Sequence, residues 1–176
     1  MSSRSEKERF WAKVDKSGDC WIWTAYVLPV GYGQFGIRKT KMALAHRYAY
    51  EDAIGPIPDG LDIDHMCHNR KCVNPAHLRA VTRKQNLENH SGANRTNLSG
   101  VRNVHFHKAT QRYAVSVTHN GKSHYGGSFA RLEEAAAAAK ALRLSLHTHN
   151  DADRIPVTVK EDQSVRSERA EPESNL

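Results

Sequence analysis

DHMCHNRKCVNPAHLRAVTRKQN, residues 64–86, holds two cysteines, three histidines, one aspartate and three asparagines in 23 positions. The spacing runs Cys67-x4-Cys72-x4-His77, with Asp64 and His65 just before it and Asn86 nine residues after His77. Thiolate and imidazole suit zinc, whereas carboxylate and amide oxygens suit magnesium. Two kinds of metal chemistry are interleaved in one short stretch.

Around it, Asp62 to Met66 reads as a strand and Asn74-Pro75 as a turn. His77 to Asn89 reads as a helix with Leu78, Val81 and Leu87 on one side. The expected order is strand, metal-bound turn, helix. Upstream, residues 5–13 read as a short helix capped by Ser5, with Glu8 three positions on. Residues 20–24 (CWIWT) and 32–37 (YGQFGI) read as two strands joined by a loop with Pro29 and Gly31. Residues 43–55 read as a helix ending at Gly55-Pro56. Downstream the rhythm changes. VRNVHF, RYAVSVT and SHYGGSF are short alternating segments, the last two separated by the tight pair Asn120-Gly121. RLEEAAAAAKALRLSLH, 131–147, is a strong helix by propensity.

Charge divides the chain similarly. Residues 1–98 carry 15 Lys/Arg against 10 Asp/Glu, residues 99–149 carry 7 against 2, and residues 150–176 carry 4 against 7. The expected organisation is a first domain at 1–89, an Asn/Ser/Gly-rich linker at 90–99, a small sheet-and-helix domain at 100–149, and a disordered tail at 150–176. The net charge of +7 favours an anionic partner. With a mean hydropathy of −0.69 the core must be small, and small cores need help from a metal, a disulfide or a partner. Three cysteines cannot close a disulfide framework and read better as reduced, metal-binding thiols in a cytoplasmic setting. No apolar run approaches membrane-spanning length and no signal-peptide pattern precedes the first charges, so membrane and secretory classes are set aside.

A structural zinc site takes four ligands. Cys67, Cys72 and His77 supply three by spacing. For the fourth, Cys20 is the only other cysteine, and His68 is a rival whose adjacency to Cys67 makes joint coordination awkward.

GDCWIWT, GYGQFG, AHRYAYE and IDHMCHNRKCVNPAHLRAVTRKQN together resemble phage-type HNH endonucleases and His-Cys box homing endonucleases, both of the ββα-metal superfamily. The resemblance covers about residues 6–89. Separately, GVRNVHFHKATQRYAVSVTHNGKSHYGGSFARLEEAAAAAKALRLSLH resembles the plant APETALA/ethylene-response-factor DNA-binding domain, over about 100–147. The implied fold is α+β: a zinc-stapled ββα-metal nuclease domain, then a three-stranded antiparallel sheet with one helix. The resemblance implies Cys20 as fourth ligand of a structural zinc, His65 as general base, and Asn86 as a ligand of catalytic magnesium, which manganese can replace. It also implies Asp64 as a second magnesium ligand. The middle position of the HNH pattern falls on His77 and the last on Asn86, so the chain is an H-H-N variant. Asn74, which looks like the motif asparagine, reads as a turn starter.

The implied partner is double-stranded DNA. Arg38, Lys39, Lys41, Arg70 and Arg83 are expected to contact it from the first domain, with Lys71, Arg79 and Lys84 nearby. From the second, Arg102, Arg112, Tyr113, Lys122 and Tyr125 alternate along the strands together with His105, His107 and His119. A phage homing or mobile endonuclease is the expected role, and a homodimer is one way for it to cut both strands. A zinc-containing DNA-binding regulator is the rival reading, but it has no need for the Asp64-His65…Asn86 set.

Overall fold

The computed structural model describes residues 4–38 and 41–154. The first part begins with helix α1 (Glu6–Trp11), closed at its start by a reciprocal cap between Ser5 and Glu8. Strand β1 (Val14–Asp15) pairs antiparallel with β2 (Ile22–Trp23), and β3 (Gln34–Arg38) with β4 (Lys41–Leu44). The expected strands at 20–24 and 32–37 are therefore real but do not pair with each other; each takes a neighbour unread in the sequence. Helix α2 (Ala45–Ala53) follows. Strand β5 (Asp62–His65) then pairs with β6 (Leu78–Val81), and helix α3 (Arg83–Glu88) completes a strand–strand–helix unit.

The expected helix over 77–89 is corrected here. Its first half is the end of a 3-10 turn (Pro75–His77) and then β6; only 83–88 is α-helical. Leu78 and Val81 are both buried, and their three-residue spacing imitates a helical stripe. The helix start is instead fixed by Thr82, whose hydroxyl accepts from Gln85 N–H while the Gln85 side chain accepts from Thr82 N–H.

The core of this part is aromatic. Phe10 stacks on Trp23 and meets Phe35 edge-on, and Ala45, Ala49, Ile63, Val73 and Leu78 close around them. Gly33 is required there: a Cβ would sit 2.5 Å from Trp23 Cδ1.

The second part is the expected sheet and helix. Strands β7 (Val104–His107), β8 (Arg112–His119) and β9 (Lys122–Phe129) form one antiparallel sheet in that order. Asn120 and Gly121, both at positive φ, turn β8 into β9. Helix α4 (Leu132–Leu146) lies on one face, where its small Ala135 and Ala139 admit Val104 and Val115. The other face is open.

The tail expectation is corrected for its first residues. Asp151–Arg154 form a short helix, α5, fastened by buried ion pairs. The rest of the expected disordered tail, residues 155–176, lies outside the described residues.

Candidate metal centre and active site

Between β5 and β6 the chain makes a twelve-residue excursion, 66–77, that carries Cys67, Cys72 and His77. Cys20 arrives from far upstream because the segment around β2 runs alongside the loop. Trp23 N–H donates to Lys71 O at 2.9 Å, and Val73 N–H donates to Trp21 O at 2.7 Å. The ligand atoms of Cys20, Cys67, Cys72 and His77 all lie within 4.8 Å of one another. Both Cys20 Sγ and Cys72 Sγ are 3.6 Å from His77 Nδ1. A tetrahedral ion with arms of about 2.3 Å has edges of about 3.8 Å, so the cluster could hold one, and its donors suit zinc. His68, the rival ligand, stands outside it. Burial and mutual crowding push the Cys20 thiol up, whereas the hydrogen bond from Cys72 holds Cys67 down to about 5.

Two residues brace this cluster that the sequence reading missed or underused. Asp19 Oδ2 lies 3.4 Å from His77 Nε2, orienting the ring so that Nδ1 faces the thiols. Asn74 donates to Asp19 O at 2.9 Å and accepts from Ala76 N–H at 3.1 Å, the turn role expected of it.

The end of β5 opens on a depression of about 320 Å³ lined by Tyr32, Asp64, His65, Arg70, Arg83 and Asn86 among others. His65 is only 6% exposed. Its Nε2 donates to Cys72 O at 3.0 Å, which fixes the tautomer and leaves Nδ1 with no partner among the described residues. Burial lowers its pKa and outweighs the Cys72 carbonyl, which works the other way, so the ring is neutral at neutral pH. His46 lies 4.7 Å from the His65 ring, and Tyr32 lies 6.1 Å away. Burial pushes His46 down to about 3.

Asp64 is 7% exposed, and its Oδ2 takes Arg79 Nη2 at 2.9 Å and Asn89 Nδ2 at 2.9 Å. Its Oδ1 has no such partner among the described residues. Asn86 is steered by Asp62, whose Oδ2 accepts from Asn86 Nδ2 and Arg83 Nη1, each at 3.2 Å. Those two bonds hold the Asp62 carboxyl below its ordinary value. With its amide nitrogen so engaged, Asn86 keeps its carbonyl oxygen for another partner. Asp62 and Asp64 share one face of β5 by simple alternation, a signal that could have marked Asp62.

The basic residues divide. Arg70 lines the depression beside Tyr32, its guanidinium 5.4 Å from that ring and bonded to Val30 O. Arg38 and Lys41 line a different hollow, shared with Glu6, Glu51 and Asp52, and Lys39 lies outside the described residues. Arg79, a candidate DNA contact by sequence, is committed to Asp64 and to Asp151 of α5. Arg102 is likewise committed: its guanidinium donates to Glu88 O at 3.0 Å and to His90 O, tying the two parts together. Tyr113 turns toward the helix-side core, 5.0 Å from Phe106, rather than to the open face. Arg112, Lys122 and Tyr125 are exposed, Tyr125 to 70%.

Residues 43–88 match the family model for HNH endonucleases. The match begins in β4 and ends with α3, so it contains Asp64, His65, Asn86 and three of the four metal-cluster residues. The chain is 40% identical over 70 residues to Protein 7.7 of Escherichia phage T7, covering 40% of this chain and 53% of that one. It is 36% identical over 62 residues to a gene 5.3 protein of Enterobacteria phage T3 described as uncharacterized, covering 32% and 61%. Protein 2.8 of phage T7 is 37% identical over 75 residues, covering 42% and 50%. The chain thus spans little more than half the length of these relatives. No solved structure matches it. Among the described residues no helix is long and apolar enough to cross a membrane.

Proposed function

We propose that the chain is a metal-dependent DNA endonuclease, hydrolysing a phosphodiester with His65 as general base. The supporting observation is the His65 imidazole itself. It is buried, neutral, fixed through Nε2 by the Cys72 carbonyl, and presents an unpartnered Nδ1 in a depression it shares with Asp64 and Asn86. A base must be unprotonated and aimed, and this one is both. The HNH match over the same residues supports the reading.

Cys20, Cys67, Cys72 and His77 hold a structural zinc. Asn86 and Asp64 offer one hard oxygen each, a set that fits magnesium, or manganese in its place, with the remaining positions left to water and phosphate. Such an ion supplies Lewis acidity and stabilises the leaving oxygen. The protein's own groups do the rest. His65 takes the proton of the attacking water, Arg70 and Arg83 draw the phosphate backbone toward it, and Arg79 and Asn89 hold the Asp64 carboxylate in place. The 104–146 domain, with its resemblance to plant DNA-binding domains, helps choose the site. The role we propose is that of a phage homing or mobile endonuclease in an infected cell's cytoplasm, a setting that the phage source of the relatives supports, and a homodimer would allow double-strand cuts.

The test is supercoiled-plasmid nicking with magnesium. Wild type should nick, and His65→Ala should be slower by about 10²–10⁴-fold with unchanged zinc content. Equal rates for the two proteins would remove His65 from the chemistry; no cleavage by wild type with either divalent ion would sink the enzyme reading.

A further inference from the structure

A second depression, of about 480 Å³, runs between residues 90–97 and the open face of the β7–β9 sheet. Leu87 and His90 line both it and the active-site depression. The two therefore adjoin across Leu87, which is 59% exposed, and together make a trough from His65 and Asn86 to His105 and Thr118. Its second half contains no carboxylate. In the first half the only carboxylate is Asp64, already neutralised by Arg79. By contrast, the hollow beside Arg38 and Lys41 sets three acids against those two bases.

The trough is a built feature. Arg102 in its wall donates to Glu88 O and His90 O, and Arg143 of α4 donates to Arg102 O at 2.9 Å. The linker and sheet walls are thus locked to α3. What lines the trough is also unusual for a surface that meets phosphates. The one arginine or lysine lining its second half is Arg102, whose guanidinium is spent on carbonyls. The exposed side chains of Asn94, Thr96, His105 and Thr118 make no hydrogen bond to any described residue.

Phosphate contacts position a duplex, whereas base-edge contacts specify it. Amide, hydroxyl and imidazole groups also bond phosphate oxygens, but unlike Lys they offer the donor and acceptor pairs that match base edges: Asn pairs with adenine, and Thr bonds several bases. We propose that this trough reads the base pairs flanking the scissile phosphate, with Asn94 and Thr118 as specificity-determining residues on opposite walls. The inference rests on the nuclease reading above and extends it from chemistry to selection. The domain's preference is thereby assigned to its junction with the nuclease part, beside the cut, as well as to the exposed Arg112 and Tyr125 further out.

The test uses the full zinc-loaded chain and linear duplexes randomised on both sides of the nick. Sequencing of nicked products gives a preference profile for wild type, Asn94→Ala, Thr118→Ala and, as a control on the far side of α4, Lys140→Ala. Each trough variant should lose discrimination at one or two flanking positions by about five- to one-hundred-fold, while the control keeps the wild-type profile. Profiles unchanged in both variants would overturn the proposal. So would a wild type with no flanking preference. Selection of bound duplexes without added divalent ion repeats the comparison with no cleavage step. If wild type binds with a preference that Asn94→Ala erases, the trough stands even if nicking is never seen; a preference that survives both substitutions removes it.

Discussion

The region around the Cys20–His77 cluster and the β7–β9 sheet with α4 solve the same small-core problem in opposite ways. The first is made of two-residue to five-residue strands in separate pairs, none of which makes a sheet wider than two strands. Such ribbons are marginal in water on their own. They are held by an aromatic cluster at one end and by three cysteines and a histidine at the other. The second has two eight-residue strands beside a four-residue one, a fifteen-residue helix and a plain Val/Ala interface. Local propensity and apolar burial suffice there. On the endonuclease reading, the region proposed for the chemistry is the one whose fold would be entrusted to an ion, and the region proposed for recognition has a core that needs none.

The strongest way to break this contrast is to remove the metal. All three tryptophans, at 11, 21 and 23, are in the first region, and the longest helix, α4, is in the second. Chelation, or Cys72→Ser, should red-shift tryptophan emission while much of the helical circular dichroism persists; the metal's share in folding is on the order of 10 kcal/mol. If both signals vanish together, the two regions are one cooperative unit. Next comes the clasp between them. Helix α5 bridges them: its Asp151 pairs with Arg79 of the first region, and its Asp153 takes buried Arg143 of α4 at 2.6 Å and 2.9 Å. Arg143→Ala strands that carboxylate and should cost about 3–5 kcal/mol by urea unfolding; a cost near zero would mean the regions barely depend on each other. Then a matched pair sharpens the comparison. Gly33→Ala drives a methyl into Trp23, and Gly126→Ala drives one to 2.6 Å from Val115 Cγ1. Each should cost about 1–3 kcal/mol. Only the first should weaken zinc retention in a chelator competition; equal weakening by both would erase the distinction.

The smallest effect is electrostatic. Burial raises the Glu88 carboxyl, but bonds from the Thr148 and His149 N–H groups and the Thr148 hydroxyl, with Lys84 nearby, bring it below its ordinary 4.5. A depressed carboxyl stabilises the fold above 4.5 and loses that contribution as the pH falls through its lower folded value. The melting-temperature advantage of wild type over Glu88→Gln should therefore hold at neutral pH and fade below 4.5. An advantage that persisted in acid would place its origin in packing.

What could be read from the sequence follows the same divide. Metal ligands were legible because thiol and imidazole at that spacing have few other uses, and the second region because long alternating segments and an alanine-rich helix leave little choice. β6 was misread because two buried apolar residues three apart serve a twisted strand as well as a helix; the Thr82–Gln85 cap was the available corrective. Arg79, Arg102 and Tyr113, expected on DNA, have partners within the chain for another reason. Whether a basic side chain faces solvent or a carboxylate 15 or 72 positions away is a property of register and docking, which no local pattern encodes. Asp151 and Asp153 look like tail residues by composition. They become structural only because Arg79 and Arg143 await them.

Cys72 has two ends. Its sulfur belongs to the metal cluster and its carbonyl holds His65. On the endonuclease reading, a newly translated chain that has not captured its ion would hold that carbonyl, and so the imidazole, by backbone bonds alone, and would cut less well. Full cutting competence is then granted by metallation instead of by synthesis. The supply of one trace ion becomes a throttle on damage to any DNA sharing the compartment.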